Sequence, residues 1–428
     1  MKKVLLSIAR LAVLVVAAFF AFALSPAEID AIERPAADSF DADLVAKGRD
    51  LAALGNCLTC HQSEGGAPYA GGYGVETPVG TIYGSNITPD PETGIGRWSK
   101  AAFVRSMREG LGREGEHLYP AFPYTHFTRV TDGDLEALYA FLMTRQAVAK
   151  TVPNPDLPFP MNVRPLLAAW KLLFLDEGAA PSDGLGDELE RGRYLVDGLG
   201  HCGACHTPRN LFLTEKTDAY LRGGEASGWA NPPLAGDIHS PSPWTAVQIA
   251  TYLDGGFAEA HGVAAGPMAE VAAKLKDAPA ADISAMAAYL VSLQTGVAMP
   301  SADNSKTATP SERIALGETL YRGACARCHE ANGQRGTSAP GSSQGLPLAQ
   351  STALHAPDGR NFAQFVLHGV EAPNGEAGWP MPGFADLLTD EQIAAIADYL
   401  RHELAQQSVW DDMSERIADI RSQGEVAR

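Results

Sequence analysis

Cys57-Leu58-Thr59-Cys60-His61, Cys202-Gly203-Ala204-Cys205-His206 and Cys325-Ala326-Arg327-Cys328-His329 are three copies of Cys-x-x-Cys-His, and together they use all six cysteines of the chain. Two thiols at this spacing form thioethers to the two vinyl groups of one porphyrin. The histidine that follows lies on one face of the ring as the proximal iron ligand, so the pattern marks covalent attachment of a c-type haem. Cys-x-x-Cys alone also suits zinc or a redox dithiol. A zinc ribbon needs two pairs close together, whereas these pairs stand more than a hundred residues apart and each ends in histidine. Three covalently bound haem c groups are therefore expected, on Cys57 and Cys60, Cys202 and Cys205, and Cys325 and Cys328, with His61, His206 and His329 on the irons.

The sequence around each motif repeats. A helix with an internal glycine leads in, at Gly48-Arg49-Asp50-Leu51, Gly192-Arg193-Tyr194-Leu195 and Gly317-Glu318-Thr319-Leu320. An amphipathic helix with an acidic start and an aromatic-Leu end closes each repeat, over 134–142, 282–290 and 390–400. A middle helix ending in glycine lies between them, over 103–110, 247–256 and 362–369. Leading and closing helices that offer small and aromatic residues pack closely and shield one haem edge. The fold class expected is all-α, as three tandem class I cytochrome c domains at 40–150, 187–295 and 308–405. Residues 151–186 form an interdomain segment and 406–428 a C-terminal amphipathic helix. The stretches 176–186 and 295–310, rich in Gly, Ala, Pro, Ser and Thr, read as linkers.

The second face of each iron needs a further ligand, and a methionine thioether raises the potential there. Twelve residues past the glycine of the middle helix lie Met268 and Met381, both in proline-containing contexts expected to be irregular loops. The same count in the first repeat reaches Phe122, which cannot ligate iron. His126, four residues on, is the expected substitute, with Met107 and His117 as the other choices. A five-coordinate first haem is the remaining possibility, and it would make the chain a peroxidase-like enzyme or a sensor of small gases. Apart from the haems, no catalytic constellation is visible in the sequence, so an electron carrier rather than an enzyme is expected.

Charge and the N-terminus bound the setting. With 51 acidic and 33 basic residues the net charge is −18, which disfavours nucleic acid as a partner. Lys2, Lys3 and Arg10 precede an apolar run over 11–24, short of the about 20 residues that span a bilayer. Residues 1–24 are expected to be a signal peptide, cleaved in preference to serving as an anchor. Either way the haem domains face an extracytoplasmic space.

One further block, Gly80-Thr81-Ile82-Tyr83-Gly84-Ser85-Asn86-Ile87-Thr88-Pro89-Asp90 with Gly94-Ile95-Gly96-Arg97-Trp98, goes beyond the haem motifs. Together with the 118–124 loop it resembles the three-haem cytochrome c subunits of bacterial membrane-bound periplasmic dehydrogenases, over about residues 40 to 405. The resemblance implies a catalytic dehydrogenase subunit as partner: a quinoprotein alcohol dehydrogenase, a flavin sugar or gluconate dehydrogenase, or a molybdenum hydroxylase-type aldehyde or N-heterocycle dehydrogenase. It implies ubiquinone or another cytochrome as acceptor, a membrane-associated complex, and Met268 and Met381 as axial ligands. The Phe-Pro-Tyr-Thr-His form at 122–126, with Asn162-Val163-Arg164-Pro165-Leu166 and the apolar run that follows, is most similar to members paired with molybdenum enzymes. That run, 166–175, is expected to be buried between domains, ahead of contacting the partner or dipping into the membrane interface. Trp410, Met413, Ile417 and Ile420, spaced by three and four, are expected to pack on the parent domain or on a partner rather than on a membrane.

Overall fold

The computed structural model describes residues 2–176, 178, 186–297, 311–331, 334–335, 348–371 and 380–426. It separates into two compact units, Met1–His201 with Asp277–Pro279, and Cys202–Lys276 with Ala280–Arg428. Most of the expected linkers at 176–186 and 295–310, and Trp379, lie outside the described residues.

In the first unit the leading helix is Ala42–Leu54, started by the Asp41 carboxylate, which accepts from the amides of Asp43 and Leu44. The closing helix is Asp132–Met143, started by the Thr131 hydroxyl. Such side-chain caps satisfy backbone donors that a helix leaves open at its start. The two helices meet at Gly48, where a Cβ would stand 2.0 Å from the carbonyl oxygen of Ala137 and 2.7 Å from Cβ of Phe141. Only glycine permits that approach. In the second unit Ser311–Ala324 meets Asp390–Tyr399 in the same way, with Gly317 against the Ala395 carbonyl at 2.0 Å and Tyr399 Cβ at 2.8 Å. The glycines of the first and third leading helices, Gly48 and Gly317, therefore have a packing cause.

The middle helices are Lys100–Glu109, Ala246–Gly255 and Arg360–His368. They are followed by Gly110, Gly256 and Gly369 at φ of +59°, +74° and +79°, a region open mainly to glycine. The next residue then pairs back across a loop: Leu111 with His117, Phe257 with Val263, and Val370 with Met381.

Helix dominates, as expected, and the described residues add five two-stranded ribbons. One, Gly74–Thr77 with Gly80–Tyr83, begins the 80–90 block. The N-terminal helix runs from Lys2 to Ala23, 22 residues, longer than the apolar run alone and long and apolar enough to cross a membrane. Residues 166–175 depart from the expected burial. The helix Leu167–Phe174 sets Trp170 edge-on to Tyr124 and buries Lys171, whose Nζ donates to the carbonyls of Glu109 and Gly110. Leu172 and Leu173 are 68% and 72% exposed, because a helix this short offers only one face to the domain.

At the C-terminus the helix Met413–Val426 packs as its spacing predicts. Met413, Ile417, Ile420 and Trp410 join the core formed by Phe362, Ile393 and Tyr399. The Arg401 guanidinium stacks 4.2 Å from the Trp410 ring, and the indole N–H donates to the Ala356 carbonyl.

Candidate haem-attachment sites

Each motif folds as a single turn. The amides of His61, His206 and His329 donate to the carbonyls of Cys57, Cys202 and Cys325, at 3.1, 3.0 and 3.0 Å. Two thiols and one imidazole are thereby gathered on one side of one turn. Burial, reinforced by the second thiol of the pair, pushes Cys57 up to about 12 and Cys325 to about 11, and burial also raises Cys205. A redox dithiol works with a lowered thiol pKa, so Cys57, Cys205 and Cys325 have the opposite character.

Two of the candidate proximal imidazoles are held by backbone carbonyls. Nδ1 of His61 lies 2.6 Å from the carbonyl oxygen of Ser85, and Nδ1 of His206 lies 2.8 Å from that of Pro232. A carbonyl only accepts, so in both rings Nδ1 carries the proton and Nε2 keeps the lone pair that iron requires. Burial holds His61, His206 and His329 below the ordinary imidazole range, which keeps them neutral. Tautomer, neutrality and adjacent thiols all fit a covalently attached haem. No matching carbonyl for His329 is found among the described residues, and 336–347 lie outside them.

The supporting carbonyls depend on two close approaches. A Cβ on Gly84 would meet the Cys60 carbonyl oxygen at 1.8 Å, and one on Gly224 would meet that of Cys205 at 2.3 Å. The 80–98 block braces the first of these. The Asn86 amide donates to the Val148 carbonyl at 2.7 Å, and its Oδ1 accepts from the Thr88 amide. Asp90 accepts from the backbone and hydroxyl of Thr93, which hold its carboxyl below the usual range. Ser85, Pro232, Gly84 and Gly224 carry no chemistry in their side chains that marks them in the sequence as parts of the site. The available signal was spacing, since the two carbonyls come 24 and 26 residues after their histidines.

The expected axial ligands occupy unlike positions. Met268 is the second residue of the helix Pro267–Leu275, not part of an irregular loop, because Gly266 at φ +54° and Pro267 at the first helical position start a helix there. Met381 does lie in extended, non-helical chain, bridged to Val370 and packed on the adjacent core. It is the residue paired with the one after the glycine, whereas Met268 falls five residues beyond the corresponding Val263. The shared count of twelve therefore does not reflect a shared backbone geometry.

In the first repeat Phe122 packs in an aromatic group with Phe127 and Tyr124. His126 is buried in the turn Tyr124–Phe127, and its Nδ1 lies 2.8 Å from the Asp197 carbonyl. This is the same backbone hold that orients His61 and His206. Nε2 of His117 faces the Ala23 carbonyl at 2.9 Å, and Met107 is buried within the middle helix.

Comparison with known proteins places two family models on the chain. Cytochrome c matches residues 45–146, and cytochrome C oxidase, cbb3-type, subunit III matches residues 312–400. A nicotinate dehydrogenase subunit of Pseudomonas putida is 43% identical over 399 residues, covering 92% of this chain and 33% of that protein. The gluconate 2-dehydrogenase cytochrome c subunit of Pantoea cypripedii is 37% identical, over 84% of this chain and 85% of its own length. The fructose dehydrogenase cytochrome subunit of Gluconobacter japonicus is 34% identical, over 83% and 78%. The chain thus spans a third of the first relative and about four fifths of the other two.

Proposed function

Because the chain belongs to the family of dehydrogenase cytochrome c subunits, we propose that it is a three-haem electron carrier. It takes electrons from a catalytic dehydrogenase on the periplasmic side of the membrane and passes them to ubiquinone or another cytochrome. The observation that carries this reading is the thrice-repeated Cys-x-x-Cys-His turn, with the imidazoles of His61 and His206 each held through Nδ1 by a backbone carbonyl. Haem iron supplies one-electron chemistry between Fe(II) and Fe(III), with a potential set by axial ligands and burial. The residues of the chain orient the proximal nitrogen and keep it neutral.

In this reading there are three haem domains, at 40–150, 187–295 and 308–405. Met268 and Met381 supply thioethers to the second and third irons, and His126 supplies a second imidazole to the first. A bis-imidazole iron has a lower potential than an imidazole–thioether one, so the first haem is the low-potential member. The likeness to the nicotinate dehydrogenase subunit supports a partner acting on N-heterocycles, and in this reading that partner is of the molybdenum hydroxylase type, ahead of quinoprotein or flavin enzymes. The N-terminal helix serves as export signal or anchor.

The test is to isolate the native complex from membranes, count haem per chain, and analyse the co-purifying subunit for molybdenum, quinone and flavin. Three haems per chain, reduced when the partner's substrate is added, are expected. Fewer than three, or haems that stay oxidised while the partner turns over, would overturn the reading.

A further inference from the structure

The hairpin over residues 224–231 in the second unit joins two sites that the sequence keeps apart. Its base belongs to the second attachment motif. The Asn231 amide donates to the Cys205 carbonyl at 2.9 Å, and the next residue, Pro232, supplies the carbonyl that holds His206. Its outer end belongs to the Arg360–His368 helix. The side chain of Asn361 donates to the Ala230 carbonyl at 2.8 Å and accepts from the Ala230 amide at 2.9 Å, as a neighbouring strand would. Gln364 donates to the Gly228 carbonyl, and Arg360 pairs with Glu225.

Trp229 stands at the centre of this connection. On one side its ring meets that of Phe365, with centroids 5.5 Å apart at 61°, an edge-to-face contact. On the other side it fills the space beside Gly266, where a Cβ would come within 2.3 Å of the indole. Gly266 begins the turn that delivers Pro267 and Met268. The positive φ of Gly266 and the indole against it together leave that short arm little freedom.

We propose that Trp229 is a positioning residue for the second haem, holding the 266–268 arm so that Met268 would be available as the second ligand beside His206, and that Trp229 is itself clamped by the Arg360–His368 helix. Ligation at the second haem then depends on a helix that follows the third attachment motif. The proposal rests on the reading of Met268 as a ligand.

Four variants of the full-length holoprotein test it, compared by haem content, by the thioether-to-iron charge-transfer band and by the potential of each haem. Met268→Leu removes the share of the band that belongs to one haem. Trp229→Ala weakens the same share and lowers the same potential, since thioether ligation raises it, and Trp229→Phe restores most of both. Asn361→Ala, which alters neither the arm nor the indole, gives a partial loss of the same signal. Wild-type band and potentials in both Trp229→Ala and Asn361→Ala, alongside loss in Met268→Leu, would overturn the positioning role and leave Met268 as ligand. An intact band in Met268→Leu would remove the ligand assignment and this inference with it. If Trp229→Ala fails to take up haem, Asn361→Ala alone decides.

Discussion

Gly84→Ala perturbs the first haem without touching a ligand. Gly84 adopts an ordinary backbone conformation, so the effect of a methyl group is steric alone. That methyl would stand 1.8 Å from the Cys60 carbonyl oxygen and 2.8 Å from its carbon. Both atoms are backbone, and no flexible side chain can yield. Relief requires the strand to retreat by more than an ångström, and Ser85, the next residue, moves with it. Its carbonyl now lies 2.6 Å from Nδ1 of His61, and after that retreat the pair is beyond hydrogen-bonding range. A hydrogen bond contributes a net ~0.5–1.5 kcal/mol. This one makes the imidazole more basic and so favours Fe(III). At 59 mV per tenfold for one electron, its loss raises the potential of the first haem by at most roughly 20–65 mV, the limit in which the bond favours the ferric state alone. Optically monitored potentiometric titration of the holoprotein measures the shift. Gly133→Ala, where a Cβ meets nothing within 4 Å, serves as control. Full haem content with all potentials unchanged in Gly84→Ala would refute the argument that the Ser85 carbonyl tunes this site.

Three further expectations are open to direct measurement. His126→Ala converts one haem to a high-spin spectrum, and an unchanged spectrum removes His126 as a ligand. Asp134, 5% exposed in its side chain, pairs with Lys47 at 2.6 Å and accepts from the Tyr194 hydroxyl at 2.6 Å. The half-exposed lysine adds about 0–1 kcal/mol and the buried hydroxyl about 1.5–3 kcal/mol, so Asp134→Ala lowers the melting temperature of the first unit by several degrees in calorimetry. Tyr194→Phe gives a smaller drop, and the two effects are not additive. Burial pushes the Asp398 carboxyl up to about 6 although Arg313 opposes the shift. The folded state therefore binds this proton more tightly than the unfolded state does. Its stabilising share is complete below about 4, where the unfolded carboxyl titrates, and is lost as pH rises through about 6. Asp398→Asn flattens that dependence, and an unaltered pH profile in denaturant titrations would count against it.

Much of the architecture was open to reading from the chain alone, because its signals are local. Glycines in the leading helices, acidic helix starts and glycines after the middle helices all act within a few residues or through helical period. Trp410, Met413, Ile417 and Ile420 announced their packing through spacing. Residues 166–175 were harder to read, since an apolar run does not say which of its faces finds a partner. Leu172 and Leu173 remain exposed because Trp170 and Lys171 take the contacts.

The site divides along the same line. The candidate attachment cysteines and His61, His206 and His329 are proposed from the sequence by itself, because thioether spacing and the adjoining imidazole lie within one turn. Only the tertiary structure decided which carbonyls hold those imidazoles, that Met268 starts a helix while Met381 bridges extended chain, and that Trp229 joins the 266–268 arm to Phe365. Each of these joins residues far apart in the chain, and close approach in space leaves no period in the sequence. Backbone carbonyls carry still less signal, since every residue has one and only the fold selects which is aimed.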